Sequence, residues 1–239
     1  MNGMVTVITP TGDRATAFGL CQRWIESQTQ RLDNWIIVDD GEIPLDTDRL
    51  PDYARYIRRE PRTDDPKVTL AINLRAAVRT AVRGDKIIIW EDDEYYAPGY
   101  IEEMSKRLDD YEVAGICRGK YYNLPTGYFS QLKNMKHASL AQTGFRRSFL
   151  PKFIECLDGD HFIDIRLWAA ADKATSILFD DGAAMLYCGM KGLPGRVGIG
   201  YGHRMHEGYQ KDTPGREVLK RWVPGDYPAY LALLTKGAA

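Results

Sequence analysis

Short apolar runs alternate with amphipathic stretches along most of this chain. Val5-Thr6-Val7-Ile8-Thr9, Trp35-Ile36-Ile37-Val38 and Lys86-Ile87-Ile88-Ile89-Trp90 are rich in β-branched and aromatic residues and have the length of buried strands. Phe18, Cys21, Trp24 and Ile25 recur at helical spacing, which predicts a helix from about Thr16 to Thr29. Strand, helix and strand make a βαβ unit with parallel pairing. A second helix is expected over Val68–Val82, where Ala71, Leu74, Val78 and Val82 share a face. Pro98-Gly99-Tyr100 opens a third, which runs to about Leu108.

Strands are also predicted at Val113–Cys117, Thr175–Phe179 and Ala184–Tyr187, and helices at Pro151–Leu157 and His161–Lys173. Residues 42–67 read as a long connection with one short apolar element near Tyr53–Ile57. Tyr121–Met135 is aromatic and polar without clean periodicity, and suits an acceptor-binding loop or a packed connection. Residues 189–208 hold seven glycines, too many for a packed element, because each fixed glycine costs more backbone entropy than any other residue. Lys191, Arg196, His203, Arg204 and His206 make that stretch a mobile basic loop of the kind that closes over phosphates. From Arg216 to Leu234 an amphipathic tail, broken by Pro224 and Pro228, reads as a docking appendage.

Composition is that of an ordinary soluble globular protein, with 239 residues, 44% hydrophobic, 27% charged and net charge -1. The near-neutral balance gives no global argument for nucleic acid. No apolar stretch approaches a membrane span and no signal peptide is visible, so a cytoplasmic protein is expected. The four cysteines are widely spaced and read as free thiols in a reducing compartment.

The chemistry concentrates at strand ends. The third strand runs into four consecutive acids, Glu91-Asp92-Asp93-Glu94. Side-chain alternation would put Glu91 and Asp93 on one side, a pairing that suits a hard divalent cation such as Mg²⁺ or Mn²⁺. A solvated acidic turn accounts for the same residues. The second strand ends in Asp39-Asp40-Gly41, for which a plain turn suffices. In parallel sheets, ligands bind beyond the carboxyl ends of the strands. Val5–Arg14 lays out strand, glycine-containing loop and helix, but neither the dinucleotide fingerprint nor the P-loop pattern is present.

In their order and spacing these pieces resemble the GT-A glycosyltransferases, in particular family 2 of nucleotide-sugar-dependent enzymes, over roughly residues 4–206. Thr9-Pro10-Thr11-Gly12-Asp13-Arg14 is similar to the family's first loop, which lies against the nucleotide. Ile36–Gly41 resembles its second strand, which implies that Asp40 contacts the base. Arg75 matches the middle of an Ala-Arg-Asn signature whose Asn is Ala76 here. Glu91-Asp92-Asp93-Glu94 stands at the Asp-x-Asp metal motif, with Asp93 the best direct ligand, Glu91 beside it and Asp92 on the nucleotide-sugar side. Gly144–Arg147 resembles the turn before the acceptor half. Asp160 falls near the catalytic Glu-Asp pair, with Gly159 in place of Glu, and Asp164 one helical turn later is the reserve base. Gly198–Arg204 resembles a late metal-binding segment, with His203 as ligand, and the preceding Gly192–Arg196 run is similar to small phage-type relatives.

The resemblance implies an α/β GT-A sandwich of three layers around a mostly parallel sheet. It would be a single domain over residues 1–210, with a nucleotide-sugar half (1–95), an acceptor half (96–210) and a helical tail (211–239). It also implies a metal-dependent, inverting transfer from a nucleotide-sugar, by family habit a UDP-sugar, with Lys191, Arg196 or Arg204 closing on the diphosphate. Two other readings compete. One is a non-catalytic nucleotide-sugar or glycan-binding protein on a degenerate GT-A scaffold; the other is a nucleotidyltransferase, which would need a Gly-rich, Lys-bearing loop that this chain lacks. The acceptor is a glycan or other hydroxyl compound. Arg55, Arg58, Arg59, Arg62, Arg146 and Arg147, with Tyr121, Tyr122, Tyr128 and Phe129, also permit a modified base in DNA, which would have to be flipped out of a duplex.

Overall fold

The computed structural model describes residues 3–80, 83–158, 162–196 and 207–236. A seven-stranded sheet runs through its middle, built from β1 (Val5–Thr11), β2 (Asn34–Asp39), β3 (Ala54–Arg58), β4 (Lys86–Ile89), β6 (Val113–Ile116), β9 (Thr143–Arg146) and β10 (Ser176–Phe179). The order is β10-β6-β9-β4-β1-β2-β3, and every pairing is parallel except the two made by β9. The sheet is flanked by α1 (Ala15–Glu26), α2 (Leu70–Thr80), α3 (Tyr100–Asp110), α4 (Leu150–Cys156) and α5 (Ile163–Ala170). A five-stranded sheet is appended, ordered β12 (Gln210–Lys211), β8 (Tyr128–Lys133), β7 (Arg118–Asn123), β11 (Tyr187–Lys191) and β5 (Tyr95–Tyr96). Two helices, α6 (Glu217–Trp222) and α7 (Tyr227–Lys236), close the chain.

Strand alternation divides the interior in two. Val5, Val7, Trp35, Ile37 and Ile88 face one core, shared with α1, α3 and the second sheet. Ile8, Ile36, Val38, Ile87 and Ile89 face the other, shared with α2, α4 and α5. Strands buried on both faces must be apolar throughout, which is why β1, β2 and β4 read as continuous apolar runs. Each fully buried side chain of this size contributes about 1.5–3 kcal/mol, so the central strands are a rigid platform for the loops at their carboxyl ends.

Several expectations need correction. The predicted Ala184–Tyr187 strand begins only at Tyr187; Gly182–Ala184 is a turn of 3-10 helix and β11 continues to Lys191. Gly189 and Lys191, assigned to a mobile loop, are therefore buried members of the second sheet. Tyr121–Met135 is neither a loop nor a simple connection but mostly the β7–β8 hairpin. Gly144–Arg147, read as a turn, lies largely in the antiparallel strand β9. The apolar element near Tyr53–Ile57 is the edge strand β3.

The tail is not an appendage. Leu219, Trp222, Val223 and Tyr230 belong to the same core as β1 and α1, and the Trp24 Nε1–H donates to the Tyr230 hydroxyl at 3.2 Å. The boundary expected between 210 and 211 falls within β12. No helix among the described residues is long and apolar enough to cross a membrane.

Candidate active site

The site lies at the carboxyl ends of β1, β2 and β4. β4 stops at Ile89, and the chain turns at once. Trp90 stacks on Tyr96 with centroids 3.7 Å apart and meets Tyr100 edge-on at 5.7 Å. The Glu91 N–H donates to the Tyr96 hydroxyl at 2.9 Å, and the Glu94 N–H to the Glu91 carbonyl at 3.4 Å. This aromatic floor holds residues 91–94 as a turn rather than a strand. Glu91 and Asp93 do come together, but through the turn, which also brings in Glu94, a residue that alternation would have sent away. One oxygen of each of the three lies within 4.8 Å of the others.

Asp92 points the other way. It accepts the Thr11 hydroxyl at 2.6 Å and an Arg14 N–H at 2.7 Å. Arg14 also reaches Asp93 at 3.1 Å. Burial alone would lower the Arg14 pKa, but the carboxylates of Asp92 and Asp93 raise it above its ordinary value. Burial, and next the neighbouring charge of Asp93, push Glu91 up to about 7. Burial also lifts Asp92 to about 6, with Arg14 opposing. Glu94 is raised by burial against the pull of Lys191.

The donor set is all carboxylate oxygen, the chemistry that Mg²⁺ and Mn²⁺ prefer. Among the described residues, Glu94 Oε2 is buried without a hydrogen-bond partner. Crowded acids with raised pKa values and one orphaned oxygen fit a bound cation. Among the described residues, Glu91, Asp93 and Glu94 are thus the set able to hold a divalent metal. His203, expected as a further ligand, and Asp160 both lie outside the described residues, as do Arg204 and His206.

At the neighbouring strand end, Asp39 and Asp40 divide the work. Asp39 caps its own turn, accepting from the N–H groups of Gly41 and Leu45, each at 2.9 Å, and from the Tyr56 hydroxyl at 2.8 Å. Asp40 is held between Arg59 at 2.5 Å and Arg196 at 3.0 Å. Burial alone would raise its pKa, yet hydrogen bonds from Thr69 and Arg59 and the charge of Arg196 hold it below the ordinary carboxylate range. Arg196 also meets Asp13 at 3.2 Å, and its carbonyl accepts from Arg14 Nε at 2.8 Å. Residue 196 therefore spans the first loop and the second strand end. Close approach demands glycine here: a Cβ on Gly12 would stand 2.3 Å from Asp40 Oδ1, and one on Gly41 would stand 2.6 Å from the Asp13 nitrogen.

Other expected residues fall elsewhere. The Thr9 hydroxyl faces the core and accepts from Trp35 Nε1 at 2.9 Å, so it is not at the site. Pro10 is buried within β1, paired in register with Val38. Arg75 pairs with Asp158 at 2.5 Å rather than with the acids of the strand ends. Lys191 is no loop residue closing from above; it rises from β11 beneath the turn and donates to Glu94. Asp164, in the first turn of α5, stands 4.0 Å from His137, and its charge is felt by Tyr121, as are those of Glu94 and Glu91.

The basic set proposed for DNA is largely committed internally. Arg58 pairs with Asp39 and Glu60, Arg59 with Asp40 and Asp65, and Arg62 with Asp64, while Arg146 donates to the Leu108 carbonyl at 2.5 Å. Asn73, whose side-chain oxygen accepts from Arg59 Nε at 2.7 Å, joined the site unannounced by sequence, and Arg59 and Glu94 took roles other than those expected of them. Arg59 gave one signal, its position just beyond β3, at the same edge of the sheet.

A mostly parallel sheet crossed by one antiparallel strand, a small second sheet and an acidic turn at the strand ends make this a protein of GT-A glycosyltransferase architecture. Residues 6–163 match the family model described as glycosyl transferase family 2, and the chain belongs to that family. The fold is similar to S. aureus TarS, at 12% identity and TM-score 0.54 over 78% of this chain and 36% of TarS. The 1–349 portion of TarS in complex with UDP-GlcNAc gives TM-score 0.52 at 12% identity, over 85% of this chain and 61% of that one. The mannosyltransferase PcManGT from Pyrobaculum calidifontis, in complex with GDP-Man and Mn2+, gives TM-score 0.53 at 15% identity, over all of this chain and 76% of that one. This chain thus spans about a third of that TarS chain. At these identities the likeness extends to the fold alone. No curated protein matches the sequence.

Proposed function

We propose that this protein is a metal-dependent transferase that moves a sugar from a nucleoside-diphosphate sugar, most simply a UDP-sugar, to a hydroxyl acceptor with inversion. The observation that carries the reading is the Glu91–Glu94 turn, with three converging carboxylates on one side and Arg14 on the other. A divalent cation held there by Glu91, Asp93 and Glu94 would neutralise the diphosphate leaving group as a Lewis acid. Support for such a donor comes from two fold neighbours that hold UDP-GlcNAc, or GDP-Man and Mn2+.

The chain's own residues have separable tasks in this scheme. Arg14 and Arg196 offer guanidinium groups to the phosphates, with Lys191 adding charge from below. Asp40, steadied by Arg59, takes the base end of the nucleotide. Thr11 and Asp92 fix Arg14. The aromatic floor of Trp90 and Tyr96 keeps the turn in place. An inverting transfer needs a base for the acceptor hydroxyl proton. Asp160 keeps the family position, and Asp164, in the first turn of α5, is the reserve. His203 is a further ligand candidate, and Arg75 acts through Asp158 on the segment that leads to Asp160.

A glycan hydroxyl is the favoured acceptor, because four of the six arginines that would suit DNA are engaged within the chain, Arg58, Arg59 and Arg62 in ion pairs and Arg146 on a backbone carbonyl. Binding of DNA that weakens steeply with salt would reverse that preference. The reading as a whole is tested by calorimetry of UDP with and without Mn²⁺, on the wild type and on Asp93→Asn. Mn²⁺-dependent binding lost in the variant is the expected result; binding indifferent to metal and to Asp93 would overturn it.

A further inference from the structure

The acid turn carries its own cation. The Lys191 ammonium donates to Glu94 Oε1, and both side chains are nearly inaccessible, 6% and 2% exposed. Tyr121 lies alongside, with its ring centroid 5.9 Å from Nζ. Gly189, two residues earlier on β11, leaves the space that this arrangement needs. A Cβ there would stand 2.6 Å from the Tyr121 ring and 3.1 Å from Glu94 Oε2. Glu94 is therefore gripped at one oxygen, while the other is buried without a partner among the described residues.

The two basic residues at the turn differ in freedom. Arg14 keeps 16% of its side-chain surface exposed. Lys191 comes from a fully buried strand and is enclosed by Tyr121 and Glu94, so it has no short route to solvent. An ammonium has no lone pair with which to ligate a metal, and it repels a cation bound to the same carboxylate strongly at short range.

We propose that Lys191 is a fixed counter-ion that competes with the divalent cation for Glu94 and thereby sets the metal affinity of the turn. The proposal rests on the reading of this turn as a metal site. It makes metal binding weak in the absence of nucleotide, because the cation must share Glu94 with a charge that cannot leave. Added phosphate oxygens then supply the missing ligands and offset the repulsion.

The test is Mn²⁺ calorimetry, without nucleotide and then with UDP, on the wild type, Lys191→Met, Glu94→Gln and the double variant. Without nucleotide, Lys191→Met is expected to bind Mn²⁺ about tenfold more tightly than the wild type, a coupling of ordinary size. In the Glu94→Gln background the same lysine substitution should gain little, because the carboxylate under competition is gone. Lys191→Gln, which keeps a donor for Glu94, replaces Lys191→Met if the latter melts below the assay temperature. Equal Mn²⁺ affinity in wild type and lysine variant would overturn the proposal while leaving the metal site intact. An equal gain with and without Glu94 would also overturn it, reducing the effect to general charge. Absence of Mn²⁺ binding in every protein, even with UDP, would instead end the metal reading on which the proposal depends.

Discussion

Arg14 and Asp92 meet at 2.7 Å across the seam between the first loop and the acid turn, and Asp92 is almost fully buried. The pair joins two segments 78 residues apart in sequence. Removing one partner of such a pair leaves an uncompensated charge, which typically costs about 3–5 kcal/mol. Arg14→Ala is expected to lose stability toward the lower end of that range, since Arg14 retains some solvent contact. The double variant Arg14→Met, Asp92→Asn should recover most of the loss while still failing to bind nucleotide. Urea denaturation measures the first effect and UDP calorimetry the second; equal stability of the single and double variants would contradict the account.

Protonation of the turn gives the metal-free protein a definite pH response. Glu91 at about 7 and Asp92 at about 6 both lie above their ordinary values, from burial first and from neighbouring carboxylates next. An acid whose pKa is raised by folding stabilises the fold below its unfolded value, and that contribution is lost as pH rises through the folded value. In EDTA the melting temperature is therefore expected to fall between about pH 4 and pH 7 through these groups. Mn²⁺ binds the deprotonated form, so its affinity should rise over the same window, by up to about tenfold per pH unit for each proton displaced. Melting curves with EDTA and with Mn²⁺ should diverge as pH increases; parallel curves would show that Glu91 does not meet the metal.

Gly12 tests how tightly the two loops pack. Its Cβ position lies 2.3 Å from Asp40 Oδ1 and 3.0 Å from the Gly41 nitrogen. Gly12→Ala must displace the Asp40 carboxylate, which Arg59 and Arg196 hold in place. Overpacking of this kind costs about 1–3 kcal/mol, and nucleotide affinity should drop with it. Gly19→Ala is the control, since a Cβ there meets nothing within 4 Å. Unchanged nucleotide binding in Gly12→Ala would remove Asp40 from the donor site.

The C-terminal helices should behave as core rather than as an accessory. The Tyr230 hydroxyl accepts from Trp24 Nε1 at 3.2 Å, and its ring packs against Trp24 and Tyr95 at 5.9 and 6.4 Å. Tyr230→Ala is expected to cost about 3–5 kcal/mol, as aromatic truncation in a core does. Tyr230→Phe, which removes only the hydroxyl, should cost about 1 kcal/mol. Chemical denaturation distinguishes them, and a near-neutral Tyr230→Ala would restore the appendage reading.

How much of this was legible depends on the range of the interactions. The Ile87–Ile89 run announced β4 because a strand buried on both faces has few other compositions. The β7–β8 hairpin also left a signal, since Pro125-Thr126-Gly127 separates two aromatic runs and Gly127 takes φ 67. The signal was outweighed by the lack of clean alternation. Lys191 was not legible. Its strand is Tyr-Cys-Gly-Met-Lys, and pairing with Tyr121–Asn123 on one side and Tyr95–Tyr96 on the other, both far away in sequence, makes it one. Thr9 misled for a related reason: the family pattern names the position, whereas the hydroxyl's partner, Trp35, is set by the neighbouring strand. Glu94 was hidden because alternation assumes an extended chain, and the aromatic floor had already bent it.

The base is the last assignment to test, and Asp164 can be separated from a merely structural acid. It lies in the first turn of α5 with His137 at 4.0 Å. A group that accepts the acceptor proton acts in the transition state and not in donor binding. Asp164→Asn should therefore reduce kcat by about 10²–10⁴-fold while leaving UDP affinity and the melting temperature close to wild type. His137→Ala, a positioning change, should move the pH profile of kcat with a smaller loss. Asp160→Asn is measured beside them, because only one of the two carboxylates can be the main proton acceptor. A full loss in Asp160→Asn with near-normal turnover in Asp164→Asn would return the role to the family position and leave Asp164 as a partner of His137. Normal turnover in both would point away from a protein base altogether, and so away from an inverting transfer.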